Sequence, residues 1–208
     1  LVNLKHSSLV AVTTSMSLRL ELPKTELQIP PGLKAIILGG GCFWCTEAVF
    51  SRLIGVSQVI SGYSGGIVDH PSYQQICTGT TGHAEVILVY YDPQIISLTS
   101  LLDVFWSTHD PTTLNRQGAD HGPQYRSVIF YLDERQDQHA RQHKEALDAS
   151  GKFSAPVVTE ISPFANFYPA EGYHQQYFER HSTQAYCQFV ILPKVEKLHT
   201  LFADKLKT

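Results

Sequence analysis

Two cysteines three residues apart close a run of glycines: Gly39-Gly40-Gly41-Cys42-Phe43-Trp44-Cys45. An apolar stretch, Ala35 to Leu38, precedes the run, and a helix-like segment, Thr46 to Leu53, follows it. That order places Cys42 at a first helical turn, where unpaired N–H groups and the positive end of the helix dipole favour a thiolate. A thiolate in that setting has a lowered pKa and is a nucleophile, so Cys42 is expected to be reactive. Cys45 completes a Cys-x-x-Cys pair, which reads either as a redox dithiol or as half of a zinc site. Zinc needs two further ligands, and Cys77 and Cys187 stand alone, so no metal is expected. Cys77 reads as core. The glycine run lacks the spacing and the lysine of a phosphate-binding loop. Glu85 interrupts the strand-like His83-Ala84-Glu85-Val86-Ile87-Leu88. It is either a strand-end carboxylate reaching water or a partly buried acid that keeps its proton near neutrality. Tyr73 and Tyr125 could each be core phenols, and Asp120 a turn residue.

The elements that must hold these residues alternate along the chain. Lys34 to Leu38 reads as a strand, Cys42 to Leu53 as a helix, and Val56 to Tyr63 as a strand ending in glycines. A short helix over Tyr73 to Cys77 precedes a strand, His83 to Tyr91, with apolar groups on both faces. Leu98 to Ser107 has helical spacing, and a loop rich in Asp, Asn, Gly and Pro runs from His109 to Gln124. A strand over Arg126 to Leu132, a helix over Glu134 to Ala149 closed by Gly151, and a strand over Val157 to Ile161 follow. The aromatic remainder is expected to be irregular or shortly helical, before a last helix over Lys194 to Lys205. The expected architecture is an α+β two-layer sandwich with a ferredoxin-like core, a mixed sheet and long covering loops.

At 208 residues the chain suits one catalytic domain, 33–208, behind a mostly irregular tail, 1–32. A net charge of −3 and the absence of any Lys/Arg run argue against nucleic-acid binding. No apolar run is long enough to cross a bilayer. Residues 1–20 are poor in acids and rich in Ser, Thr and Leu, a composition that leaves organellar targeting open beside the expected cytoplasmic location. The cysteines are expected to be reduced there, and the chain to be a monomer.

Six motifs occur in order: Gly-Cys-Phe-Trp-Cys (41–45), Ser-Gly-Tyr-Ser-Gly-Gly (61–66), Tyr73 ahead of Thr-Gly-His-Ala-Glu (81–85), Asp-Pro-Thr-Thr-Leu-Asn-Arg-Gln-Gly (110–118), Gln-Tyr-Arg-Ser-Val-Ile-Phe-Tyr (124–131) and Phe-Tyr-Pro-Ala-Glu-Gly-Tyr-His-Gln (167–175). Over about Leu33 to Leu198 the chain closely resembles peptide methionine sulfoxide reductases of the A class. The resemblance implies thiol-dependent reduction of methionine S-sulfoxide, with Cys42 attacking the sulfur and Glu85 protonating the oxygen. It implies that Tyr73 and Tyr125 hydrogen-bond that oxygen and that Phe43 and Trp44 form the pocket for the ε-methyl group. Asp120 and His174 match positions that line the substrate site. Burying a methyl group is worth about 1 kcal/mol, so epimer choice must come mostly from where the oxygen donors point.

The resemblance further implies a Cys42 sulfenic acid, which condenses with a second thiol to a disulfide that thioredoxin reduces, with no cofactor. The commonest pattern has glycine where Cys45 stands. Some members use a cysteine there as the resolving thiol, others one near the C-terminus, which Ala185-Tyr186-Cys187 resembles. Cys187 is narrowly favoured, because a mobile C-terminal segment could approach without distorting a helix. The rival readings are a general thiol–disulfide oxidoreductase, which leaves Glu85, Tyr73 and Tyr125 without purpose, and a zinc-stabilised binding module.

Overall fold

The structure is a computed structural model and describes residues 24–207. The targeting expectation, and most of the expected tail, fall in 1–23 and lie outside the described residues. Lys24 to Leu33 forms no helix or strand. β1 (Lys34–Gly40) leads into α1 (Phe43–Phe50), β2 (Val56–Ser64), α2 (Tyr73–Cys77), β3 (Ala84–Tyr91) and α3 (Leu98–Thr108). The expected loop 109–124 carries a two-residue hairpin, β4 (Arg116–Gln117) and β5 (Asp120–His121), and a 3-10 turn begins at Pro123. β6 (Ser127–Tyr131), α4 (Glu134–Ser150), β7 (Glu160–Pro163), β8 (Tyr168–Pro169), α5 (Tyr177–His181) and α6 (Leu192–Phe202) complete the order.

The sheet runs β7-β6-β1-β3-β2-β8. Its centre, β6-β1-β3-β2, is antiparallel throughout and is the strand order of a ferredoxin-like split βαβ. β7 joins parallel to β6, which makes the sheet mixed. Alternation along the central strands separates two cores. Ile36, Leu38, Ile87, Val89 and Tyr91 pack under α1, α3 and α6, whereas Ala35, Ile37, Val86, Leu88 and Tyr90 face the other way. Leu27, Leu33, Phe164 and Phe167, from irregular segments, cover that second face. The architecture is therefore an α+β two-layer sandwich with covering loops. By the same alternation Glu85 shares the helix-side face with Ile87 and Val89.

Three boundaries differ from expectation for identifiable reasons. The strand expected over Val157 to Ile161 begins at Glu160, because the backbone before it is engaged elsewhere. Val157 donates to Asp148 Oδ1 at 2.7 Å, and Val158 to the Pro111 carbonyl at 2.8 Å. The helix expected to begin at Cys42 begins at Phe43, with Cys42 as its extended N-terminal cap. The last helix starts earlier than Lys194: a π-helical turn, Cys187–Ile191, runs straight into α6.

Candidate active site

β1 ends at Gly40, and Gly41 turns the chain into α1 with φ +93°, a conformation open to glycine. A Cβ there would stand 2.5 Å from Gln117, whose side-chain amide bonds both backbone groups of Asp110 and fills the space. Cys42 caps the helix, and the first free N–H behind it, that of Phe43, donates to Glu85 Oε2 at 3.1 Å. Adjacent strands and the helix they feed thus bring Cys42 and Glu85 together, although 43 positions separate them in sequence.

They line one cavity of about 140 Å³, with Phe43, Trp44, Tyr73, Asp120, Tyr125 and Tyr186. A cavity of roughly 150 Å³ accommodates a benzene, so this one admits the end of a single side chain. A larger groove of about 670 Å³ lies on the other side of α1, lined by Arg52, Gln175, Phe178 and Lys207 among others. It holds no thiol, and the smaller cavity carries the chemistry.

Glu85 is 2 % exposed, and burial pushes its pKa up to about 8, against the Phe43 N–H that lowers it and the charges of Asp120 and Cys45 that add to the rise. It is the buried acid the alternation of its strand suggested, and it is protonated at neutral pH. Burial likewise raises the Tyr73 and Tyr125 hydroxyls, which keeps both phenols neutral donors.

Cys42 corrects an expectation. Its thiol lies in the cavity wall at 7 % exposure, and burial, with Cys45 and Glu85 beside it, pushes its pKa well above the usual thiol range. The helix-start N–H that was to stabilise a thiolate serves Glu85 instead. Ionisation falls to Cys45, drawn down to about 7 by a hydrogen bond with the Cys42 thiol and, against the effect of burial, by the Lys194 charge. Cys77 corrects another: it is exposed rather than core, one turn along α2 from Tyr73, whose hydroxyl bonds its sulfur. Cys187 is fully buried inside the π turn rather than on a loose end, close enough to Cys45 to feel its charge.

His174 does not line the cavity but sets its wall. Its Nδ1 accepts from Trp44 Nε1 at 3.1 Å, so the ring proton sits on Nε2, and burial keeps it neutral. Tyr177 stacks on Trp44 at 3.6 Å between centroids with planes 4° apart. Glu171 accepts from the Tyr73 N–H and the Tyr63 hydroxyl, both at 2.9 Å, and anchors the start of α2. Glu47, buried in α1, accepts from the Tyr177 N–H at 3.3 Å. Sequence reasoning named Trp44 and His174 but missed Tyr177, Glu171 and Glu47 as supports, and one member of the cavity itself, Tyr186. Its hydroxyl donates to Asp120 Oδ2 at 3.0 Å and touches the sulfurs of Cys42 and Cys45. An aromatic beside Cys187 was the signal available for it.

A family model described as peptide methionine sulfoxide reductase matches residues 34–206. The chain belongs to this family. It is 52% identical to peptide methionine sulfoxide reductase MsrA of Chromobacterium violaceum over 175 residues, 84% of this chain and 99% of the relative. Among solved structures, the reduced form of Mxr1 from Saccharomyces cerevisiae superposes with a TM-score of 0.70 at 37% identity, covering 77% of this reductase and 92% of Mxr1. A structure of Mxr1 in complex with Trx2 superposes with a TM-score of 0.51 at 29% identity, covering 73% and 89%. The reductase is therefore an oxidoreductase of methionine sulfoxide. Its cavity is sized for one side-chain terminus, a constraint that a general disulfide oxidoreductase would not need.

Proposed function

We propose that residues 33–208 act as one catalytic domain that reduces methionine S-sulfoxide through a Cys42 sulfenic acid and an intramolecular disulfide. The observation that carries the reading is the meeting of Cys42, a protonated buried Glu85 and two neutral phenols around a cavity that fits a sulfoxide terminus. Phe43 and Trp44 take the ε-methyl group, while Glu85, Tyr73 and Tyr125 meet the oxygen. Donors aimed at an oxygen that gains charge act mainly on the transition state. Cys42 attacks the sulfur as its proton passes to the Cys45 thiolate and the Glu85 proton passes to the oxygen. The hydroxyl then leaves on the Cys42 sulfur and methionine departs. Cys45 becomes a thiol, Glu85 a carboxylate and Cys42 a sulfenic acid, so protons and charge balance.

Cys45 is the first resolving thiol, because its sulfur already contacts that of Cys42. Its attack on the sulfenic acid releases water and closes the disulfide. Cys187, buried in the same core cluster as Cys45, can then take over the bond by exchange and free Cys42. Asp120 and Tyr186 hold the two sulfurs and the approaching backbone. Thioredoxin is the reductant, in keeping with the Mxr1–Trx2 complex, and a reducing, cytoplasmic setting suits three buried free thiols. The protein works as a monomer.

Thioredoxin-coupled turnover of an acetylated methionine S-sulfoxide peptide tests the reading. Cys42→Ser is expected to abolish turnover and the R epimer to be inert. Normal activity in Cys42→Ser, or equal rates on both epimers, overturns it.

A further inference from the structure

We propose that the exposed face of the helix running from the Cys187 turn into α6, carrying Phe189, Pro193 and Lys197 beside Lys194 and Lys152, is the docking surface for the dithiol protein that reduces this enzyme, and that the partner meets it with an apolar rim and carboxylates around its attacking thiol. The inference rests on the disulfide cycle above and names where its last step occurs.

Geometry restricts the approach. The cavity at Cys42 has room for a side-chain terminus and not for a protein. Cys45 and Cys187 do not line that cavity but are buried where α1 packs against the π turn, so the helix side is the approach left to a partner thiol. The surface met there has two marks. Phe189, two residues from Cys187, is 81 % exposed, the most exposed large apolar side chain among the described residues. A spacing of four places Pro193 and Lys197 on its side of the helix, and both are exposed.

Beside this stripe runs a groove of about 540 Å³ into which Lys152, Lys194 and Lys197 converge with Phe153 and Pro193. Among the described residues none of the three lysines has an ion pair. Asp110, the groove's carboxylate, is engaged by the backbone N–H and the hydroxyl of Thr112. An aromatic anchor flanked by unpaired cations fits an acidic, apolar-rimmed partner.

The exchange balances. A partner thiolate attacks one sulfur of the enzyme disulfide and the other leaves as a thiolate that takes a proton. The second partner thiol then attacks the mixed disulfide, freeing the enzyme's second thiol and leaving the partner oxidised by two electrons. Lys194, whose charge already lowers the Cys45 pKa, favours the leaving thiolate.

Phe189→Ala and Lys197→Glu, assayed with both thioredoxin and dithiothreitol, test the proposal. Each is expected to raise the KM for thioredoxin, Phe189→Ala by about tenfold, while dithiothreitol-driven turnover stays within about twofold of wild type. Lys197→Glu is also expected to flatten the rise of that KM with salt. Wild-type KM values for thioredoxin in both variants, with thioredoxin driving the parent enzyme, overturn the docking surface and leave the proposed reaction standing. Equal losses with both reductants overturn it as well, since the residues would then serve folding or chemistry. A parent enzyme driven by dithiothreitol and never by thioredoxin removes the thioredoxin reading and the docking proposal together.

Discussion

Glu85 and Cys45 sit within one site with opposite protonation needs. Cys45 must be a thiolate to accept the Cys42 proton, which requires a pH above about 7, and Glu85 must keep its proton, which requires a pH below about 8. The rate of sulfenic acid formation is therefore expected to climb with pH through the first value and decline through the second, a narrow bell. Rapid-quench trapping of the sulfenic acid measures it. Glu85→Gln should remove the declining limb and lower the maximum by roughly 10²-fold. Cys45→Ser should move the climbing limb to higher pH, since Cys42 would then ionise unaided in a buried wall. A rate flat from pH 6 to 9 would contradict both assignments. Glu85 was legible in the sequence because a carboxylate inside an apolar strand must be buried or misplaced. The ionisation state of Cys42 was not, because which group receives the Phe43 N–H at the helix start depends on a strand 42 residues away. Tyr186 was equally hidden: its contacts with both sulfurs exist only once the last helix has docked.

At the scale of elements, the specificity wall is held by a segment with little regular structure of its own. Gln176 adopts φ +53°, which costs a non-glycine residue energy unless its surroundings fix it. Glu47 supplies the fixing contact from α1, accepting from the Tyr177 N–H at 3.3 Å; the stack of Tyr177 on Trp44 and the Trp44–His174 bond follow from that placement. Glu47→Ala is expected to destabilise the protein by about 2 kcal/mol in urea titration and to raise the KM for sulfoxide severalfold with a smaller change in kcat. Glu47→Gln retains an acceptor and should recover most of the KM; identical behaviour of the two variants would assign Glu47 to packing alone. The elements α2, β3 and α3 were legible nearly to the residue. The segment from Phe164 to Tyr186 was legible only as aromatic, because its conformation is fixed by partners on α1 and β2 rather than by its own pattern.

For the whole molecule, the sheet divides the labour between its faces. Everything reactive lies on the helix side, whereas the far face, from Ile37 to Tyr90, is closed by chain without regular structure. Part of that cover precedes β1: Leu27 and Leu33 pack on the far face, the Thr25 Oγ1 accepts from the Phe167 N–H at 2.8 Å, and the Gln28 carbonyl accepts from the Tyr90 hydroxyl at 3.3 Å. The α+β layering was legible, but a sheet with one face under helices still needs its other face covered, and the sequence marked these residues only as a proline-rich tail. Deleting residues 1–29 removes the Leu27 side chain, both of these hydrogen bonds and the Thr25 N–H bond to the Ala165 carbonyl at 3.0 Å, while leaving β1 intact. Half-burial of a leucine and three partly exposed bonds together amount to about 2 kcal/mol, which lowers Tm by roughly 4–8 °C in a chain of this size. Dithiothreitol-driven kcat at 25 °C should remain at the full-length value, because none of the described residues deleted, 24–29, lines the cavity. Calorimetry beside steady-state assays separates the two effects. An unchanged Tm would mean that the far face does not depend on this cover, and a fall in kcat at unchanged Tm would place these residues in the reaction rather than behind the sheet that supports it.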